Sequence, residues 1–216
     1  MPKSSPSKSN RKDAPHPSTK AYTLQARKQE LVRDVIWDAA IDLFTQDGFD
    51  DTTVDDIARA AGVSRRSFFR YFSSKSDLMA QGIVNYGTDL IDAIGACPPD
   101  YSPLDVFRAT VLQVAQLSAA HPRTRKIMQI AANYPGAREA QLSRVAEVQD
   151  RIAEAFAGRS GKNSKDDNLT ASVLAALTFS LLGVTFRFWF HHGDQDISVT
   201  AERVFATLGR LVCEPR

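Results

Sequence analysis

Cys97 and Cys213 are the two cysteines in 216 residues, and they stand too far apart in the chain to suggest a disulfide framework or a paired-thiolate zinc site. Catalytic signatures are missing too: there is no nucleophile elbow, no glycine-rich phosphate loop and no paired-carboxylate motif. The chain therefore reads as a non-enzyme without cofactor or metal. His191 and His192, beside Gly193, Asp194 and Asp196, form the densest group of potential metal ligands. Adjacent residues on a helix point in different directions, so a cation-favouring helix C-terminus accounts for them better than a metal does. Alternating apolar residues, the mark of a strand, occur nowhere. No apolar segment follows the basic residues near the start, which argues against a secretory signal. The expected location is the reducing cytoplasm.

What is present is helical punctuation. Residues 52–78 read TTVDDIARAAGVSRRSFFRYFSSKSDL. Thr53 is a good N-cap, with Asp55 and Asp56 in the first turn where carboxylates complement the helix dipole. Val54, Ile57, Ala58 and Ala61 make one apolar stripe. Gly62 ends the helix, because glycine takes the left-handed C-terminal conformation without penalty. Ser64 caps a second helix, and Val63 with Phe68 can staple its start. Phe68 and Phe72, one turn apart, face inward. Arg65, Arg66, Ser67, Phe69, Arg70 and Tyr71 are left on or near the outer face. Three guanidiniums on about two turns of helix suit a major groove, where arginine pairs with guanine and rings meet thymine methyls.

Residues 25–86 resemble the N-terminal domain of the TetR family of transcriptional regulators. The resemblance rests on the capped helix pair, the aromatic and basic second helix, and the run Phe72, Ser73, Ser74, Lys75, Ser76, Asp77, Leu78. It implies a first helix over 26–46, with Val32, Val35, Ile36, Ala39, Leu43 and Phe44 inward. By the same resemblance Arg65, Arg66, Ser67, Phe69, Arg70 and Tyr71 contact bases, while Thr52, Thr53, Ser64 and Lys75 hold the phosphate backbone. Phe69 stands where many relatives have tyrosine, which removes a hydroxyl. Arg66 stands where many have glycine, which adds a long donor and favours a guanine-containing half-site.

The net charge of +2 hides an uneven distribution: Lys3, Lys8, Arg11, Lys12, Lys20, Arg27 and Lys28 face only Asp13 and Glu30 in the first thirty residues. Residues 1–21, rich in serine and proline, are expected to form a disordered basic tail. It is either an arm for the DNA backbone or minor groove, or a solubilising leader.

Beyond a helix-turn-helix domain at 22–75, residues 76–216 are expected to form an all-α ligand-binding and dimerisation domain. Helices are expected over 80–96, 103–120, 121–134 and 137–157. Ser102 caps the second of these, with Pro103 in its first position. A polar linker covers 158–167. The stretch 169–186 has no charged residue, long enough for a membrane span. Interspersed Thr, Ser and Gly favour a buried soluble helix instead. A last helix over 198–212 offers Val204, Phe205, Leu208 and Leu211. In the TetR family two such helices from each protomer form the dimer interface, which implies a homodimer spanning two DNA half-sites roughly 34 Å apart. Phe107, Val111, Met128, Tyr134, Phe179, Phe186 and Trp189 are candidates for lining an effector pocket. Few charges fall among the inward positions, so a small, largely apolar effector is expected. The second half also resembles the C-terminal domain of mycofactocin-associated TetR regulators, which implies an acyl thioester.

The expected function is a ligand-responsive repressor acting on a palindromic double-stranded DNA operator. The alternatives are an activator of the same fold, or a helical small-molecule-binding or enzymatic protein whose helix-turn-helix has no operator function.

Overall fold

A computed structural model describes residues 24–160, 164–192 and 196–213. The tail at 1–21, Gly193 and Asp194 lie outside them. Ten helices make up the described residues, with no strand among them: α1 Leu24–Gln46, α2 Val54–Ala60, α3 Arg65–Tyr71, α4 Lys75–Ala96, α5 Pro103–Ala120, α6 Pro122–Asn133, α7 Pro135–Leu142, α8 Val145–Ser160, α9 Lys165–His192 and α10 Ile197–Cys213.

One device starts four of these helices. A serine or threonine N-cap accepts a hydrogen bond from the backbone amide of an aspartate three residues on: Thr53 with Asp56, Ser74 with Asp77, Ser102 with Asp105 and Ser164 with Asp167. In three of the pairs the aspartate reaches back to the cap's own amide and closes a capping box. The Ser164 box shortens the expected linker, since α8 runs on to Ser160 and α9 begins at Lys165.

Helix α6 ends at Asn133, and Pro135 begins the next helix, α7, from its first position, where its missing amide costs nothing. The single helix expected over 137–157 is two, interrupted at Ser143, whose hydroxyl donates to Ala140 O at 2.6 Å. At the interruption Leu142 lies out in solvent, 63% exposed.

Two hydrophobic clusters form, and they do not divide at residue 75. The first joins α4, α5, α8, α9 and α10 around Leu90, Ile94, Phe107, Val111, Val114, Ile152 and Leu182. The second is built on Ile36, Trp37, Ile41, Phe44, Phe49, Ile57, Phe68 and Phe72, and continues through Leu78 and Met79 to Ile130, Ala137 and Ala140. Thus α6 and α7 complete the core of the helix-turn-helix half. In α1 the inward stripe is Ile36, Trp37, Ala40, Ile41 and Phe44, whereas Val35, expected inward, is half exposed. Trp37 is tied down by its indole, which donates to Leu78 O at 3.1 Å.

By length and composition α9 could cross a membrane. Its Ala171, Leu174, Ala175, Leu182 and Trp189 instead belong to the first cluster, packed with α5, α8 and α10.

Gly87 of α4 lies against Val148 of α8, where an added Cβ would overlap Val148 Cγ1. Val148 is fully buried, and a β-branched side chain in a helix has little rotamer freedom with which to yield. Gly87→Ala should therefore lose stability by about 1–3 kcal/mol, overriding the gain of roughly 1 kcal/mol in helix propensity. Urea denaturation checks this: in a Val148→Ala background the same change should be neutral or stabilising.

Candidate nucleic-acid interface

The pair α2–α3 is assembled from local chemistry. Asp56 accepts the Thr53 hydroxyl at 2.5 Å and the Thr53 amide at 3.2 Å, and Arg59 donates to it at 2.9 Å. The Thr53 hydroxyl, then the Thr53 amide and Arg59, hold the Asp56 carboxyl below its ordinary value. Gly62, at φ 66°, turns the chain, while Val63 N–H reaches Ala58 O at 2.9 Å and Gly62 N–H reaches Arg59 O at 3.1 Å. Ser64 then caps α3 by accepting the Ser67 amide at 3.1 Å.

On α3, Phe68 and Phe72 are buried, with ring centroids 5.8 Å apart. Their burial fixes which way the other side chains point. Arg65, Arg66, Phe69 and Arg70 are exposed; Ser67 and Tyr71 are half-buried. The three arginines are held differently. Arg65 donates to both carboxylate oxygens of Asp55, at 2.8 and 3.1 Å, and lies over the Phe69 ring at 5.6 Å. Arg70 lies over the Tyr71 ring at 4.9 Å and donates to its hydroxyl at 3.2 Å. Arg66 has no hydrogen bond, ion pair or ring contact among the described residues. One extended donor fork therefore projects freely beside Phe69, which is 47% exposed.

The residues expected on phosphates are engaged elsewhere. Thr52 is only 3% exposed and donates its hydroxyl to Gly48 O at 2.6 Å. The Thr53 hydroxyl belongs to its capping box, and Ser64 Oγ lies 3.0 Å from Ser67 Oγ while capping α3. The Lys75 ammonium donates to Phe49 O at 2.7 Å, Asp50 O at 2.8 Å and Thr52 O at 3.2 Å, and sits 4.8 Å from the centre of the Phe49 ring. Three donors meet three carbonyls. In this conformation Lys75 is a clamp on the turn between α1 and α2, not a free phosphate grip.

Two further residues were not expected at the site. Asp55, read as a helix-dipole residue, is the partner of Arg65. Arg33 on α1 lies over the Phe72 ring at 5.5 Å and donates to Tyr71 O at 3.5 Å, closing the end of α3. Both contacts span turns, so no fixed spacing announces them.

The pocket candidates separate. Phe107 and Val111 are buried, and Phe107 meets Phe205 of α10 edge-on at 5.6 Å. Trp189 belongs to the first cluster, with Phe179, Phe186 and Met128 partly buried against it. Tyr134 belongs to the other cluster. Its hydroxyl would lie 2.6 Å from a Cβ added to Gly48, so it braces the α1–α2 turn rather than lining a shared pocket. Among the described residues no group of His, Cys, Asp and Glu could hold a metal ion.

Residues 36–81 match the family described as bacterial regulatory proteins, tetR family, and residues 101–212 match the MftR C-terminal domain. The chain is 30% identical to the HTH-type transcriptional regulator TcmR of Streptomyces glaucescens over 196 residues, covering 87% of this chain and 86% of TcmR. It is 29% identical over 176 residues to MftR of Mycobacterium tuberculosis, named for regulation of mycofactocin biosynthesis, covering 81% and 86% of the two chains. Among solved structures, NalD of Pseudomonas aeruginosa, described as the secondary repressor of the MexAB-OprM multidrug efflux pump, is similar with a TM-score of 0.60 at 21% identity, covering 84% of this chain and 96% of NalD.

Replacing Lys75 with methionine should leave three turn carbonyls without their donor and cost about 1–3 kcal/mol in the absence of DNA. Urea unfolding measures this, and an unchanged midpoint would contradict the clamp. Because the Asp56 carboxyl is depressed, its capping contribution is complete above the ordinary value of 3.8 and is lost as pH falls below it. Thr53→Val should therefore narrow the stability difference between neutral pH and acid below that value, as read by thermal unfolding.

Proposed function

The chain belongs to the TetR family of bacterial regulatory proteins, and we propose that it represses transcription by binding a palindromic operator as a homodimer that a small, largely apolar effector releases. It is a transcriptional regulator with a helix-turn-helix DNA-binding domain and not an enzyme. The observation that carries the operator reading is the outer face of α3, where Arg66 is unpaired and Phe69 exposed. Arg66 is assigned to a guanine edge and Phe69 to a thymine methyl. Arg70 and Tyr71, already joined, reach the neighbouring positions, with Ser67 between them. Arg65 must leave Asp55 before it can contact a base, so its share in recognition is smaller.

Dimerisation is supported by the uncovered face of α9. Leu169, Val173, Ala176, Ser180 and Gly183 fall at i, i+4, i+7, i+11 and i+14 and are all exposed in the single chain. This is a small, uncharged stripe on which a second copy can pack closely. Leu211 and Val212, at the end of α10, are 73% and 74% exposed and extend the apolar surface.

Release needs a link between the halves, and α6 supplies one. Arg123 pairs with Asp38 and lies over the Trp37 ring at 5.4 Å, and Lys126 pairs with Asp42 at 2.7 Å, so α6 is fastened to α1. From the same helix Arg125 lies over the Trp189 ring at 4.1 Å. An effector that moves α9 near Trp189 therefore acts on α1 through α6, and so on the spacing of the two recognition helices.

A gel shift of the full chain on the DNA upstream of its own coding sequence tests the proposal. The expected result is saturable retention that is lost on unrelated DNA; equal retention of both would overturn it. Arg66→Ala should cost about 1–3 kcal/mol in binding and relax preference at one base pair of each half-site. Ala176→Glu should convert the dimer to monomer in sedimentation velocity and abolish operator retention.

A further inference from the structure

Tyr86 Oη and Thr185 Oγ1 are buried and have no hydrogen-bond partner among the described residues. Such groups are uncommon, because an unpaired buried hydroxyl forgoes its bonds to water and gains nothing in exchange. Thr178, seven residues before Thr185 on the same helix and close to the same face, donates to Leu174 O at 2.7 Å, the usual resort of a helical threonine. Thr185 is equally buried and does not use the corresponding carbonyl of Leu181.

Tyr86 is part of an aromatic cluster, and Thr185 directly precedes one of its members, Phe186, on α9. Tyr86 of α4 meets Phe179 and Phe186 of α9 edge-on, with centroids 6.1 and 6.0 Å apart, and Phe186 meets Trp189 at 6.3 Å. Trp189 also walls a surface cleft of about 420 Å³, together with Gln116, Ala119 and Ile197. That volume is in the range of small-molecule sites. The chain of rings therefore leads from a cleft open to solvent to the unsatisfied hydroxyl of Tyr86, by way of Phe186, the neighbour of Thr185 on α9. Asp89, one turn beyond Tyr86, has its carboxyl pushed up by burial and then by Asp92; the Tyr86 phenol is pushed well up by burial and then by Asp89. An anion placed beside Tyr86 would face the Asp89 charge.

We propose that Tyr86 and Thr185 are the polar contacts of a site between α4 and α9 for an uncharged aromatic molecule bearing a ring hydroxyl or carbonyl oxygen, which enters past Trp189. The rings supply edge and face contacts to a flat ligand, and the two hydroxyls fix its oxygen. Such a ligand deepens the effector reading given above and rests on it only for the consequence at DNA. A flexible, multiply anionic acyl thioester suits the site poorly.

Isothermal titration of the full chain with 2-naphthol, 2-naphthoate and octanoyl-coenzyme A tests the assignment. Saturable binding of 2-naphthol is expected, and Tyr86→Phe and Thr185→Val should each weaken it about three- to tenfold. Without ligand, both variants should unfold at the same temperature as the parent or higher, because each removes an unpaired buried hydroxyl. The proposal is overturned if 2-naphthol gives no saturable heat, if both variants bind it as the parent does, if either anionic probe binds as tightly, or if both variants unfold at lower temperature. Binding of 2-naphthol with the expected losses but no effect on operator retention would support the site and overturn its role as the release site.

Discussion

Burial of Ile130, Ala137 and Ala140 among the side chains of α1, α2 and α3 is the constraint on which the rest of the molecule depends. A three-helix unit this small buries too little apolar surface to be comfortably stable alone. Here α6 and α7 supply the missing wall. Gly48 and Gly136 mark how close the contact is: an added Cβ would meet Tyr134 at the first, and Phe49 at 3.5 Å at the second. The turn between α1 and α2 is thus held from two sides, by Tyr134 from the second half and by Lys75 from the start of α4. Any displacement of α6 is felt by the elements that aim α3.

The polar links across the same boundary add direction more than strength. Lys126–Asp42 is largely solvated, and such pairs contribute about 0–1 kcal/mol. Arg123–Asp38 is less exposed and is reinforced by the Trp37 ring. Arg144 bridges Asp77 at 3.3 Å and Glu147 at 2.8 Å, joining the start of α8 to the start of α4. These contacts fix the register in which apolar surfaces meet. On the outer face of α3 the same economy applies: Asp55 restrains Arg65 and Tyr71 restrains Arg70, so under the proposed function Arg66 is the arginine that would need the least rearrangement to reach a base.

Much of this organisation was legible because it is local. The Thr53, Ser64 and Ser102 caps, the left-handed Gly62 and the inward pair Phe68 and Phe72 each follow from residues within one or two turns, and the structure places them as read. Contacts distant in sequence were not legible. Lys75 reaches carbonyls 23 to 26 residues away, and nothing in its neighbourhood distinguishes that from a phosphate contact. Thr52 carries a hydroxyl of the right type, yet Gly48 O takes it inward. Tyr134 reads like its fellow pocket candidates, and only tertiary packing assigns it to the other core. The division between α7 and α8 was missed for a local reason, since Ser143 competes for a backbone carbonyl without a glycine or proline to signal it.

Hydrogen exchange on an Ile130→Ala variant tests the shared core most directly. If α6 completes the core of the DNA-binding half, amides in α1 and α2 should exchange faster together with those of α6, while α5 and α9 keep their protection. Faster exchange confined to α6 would show that α1 to α3 stand by themselves and would contradict this account.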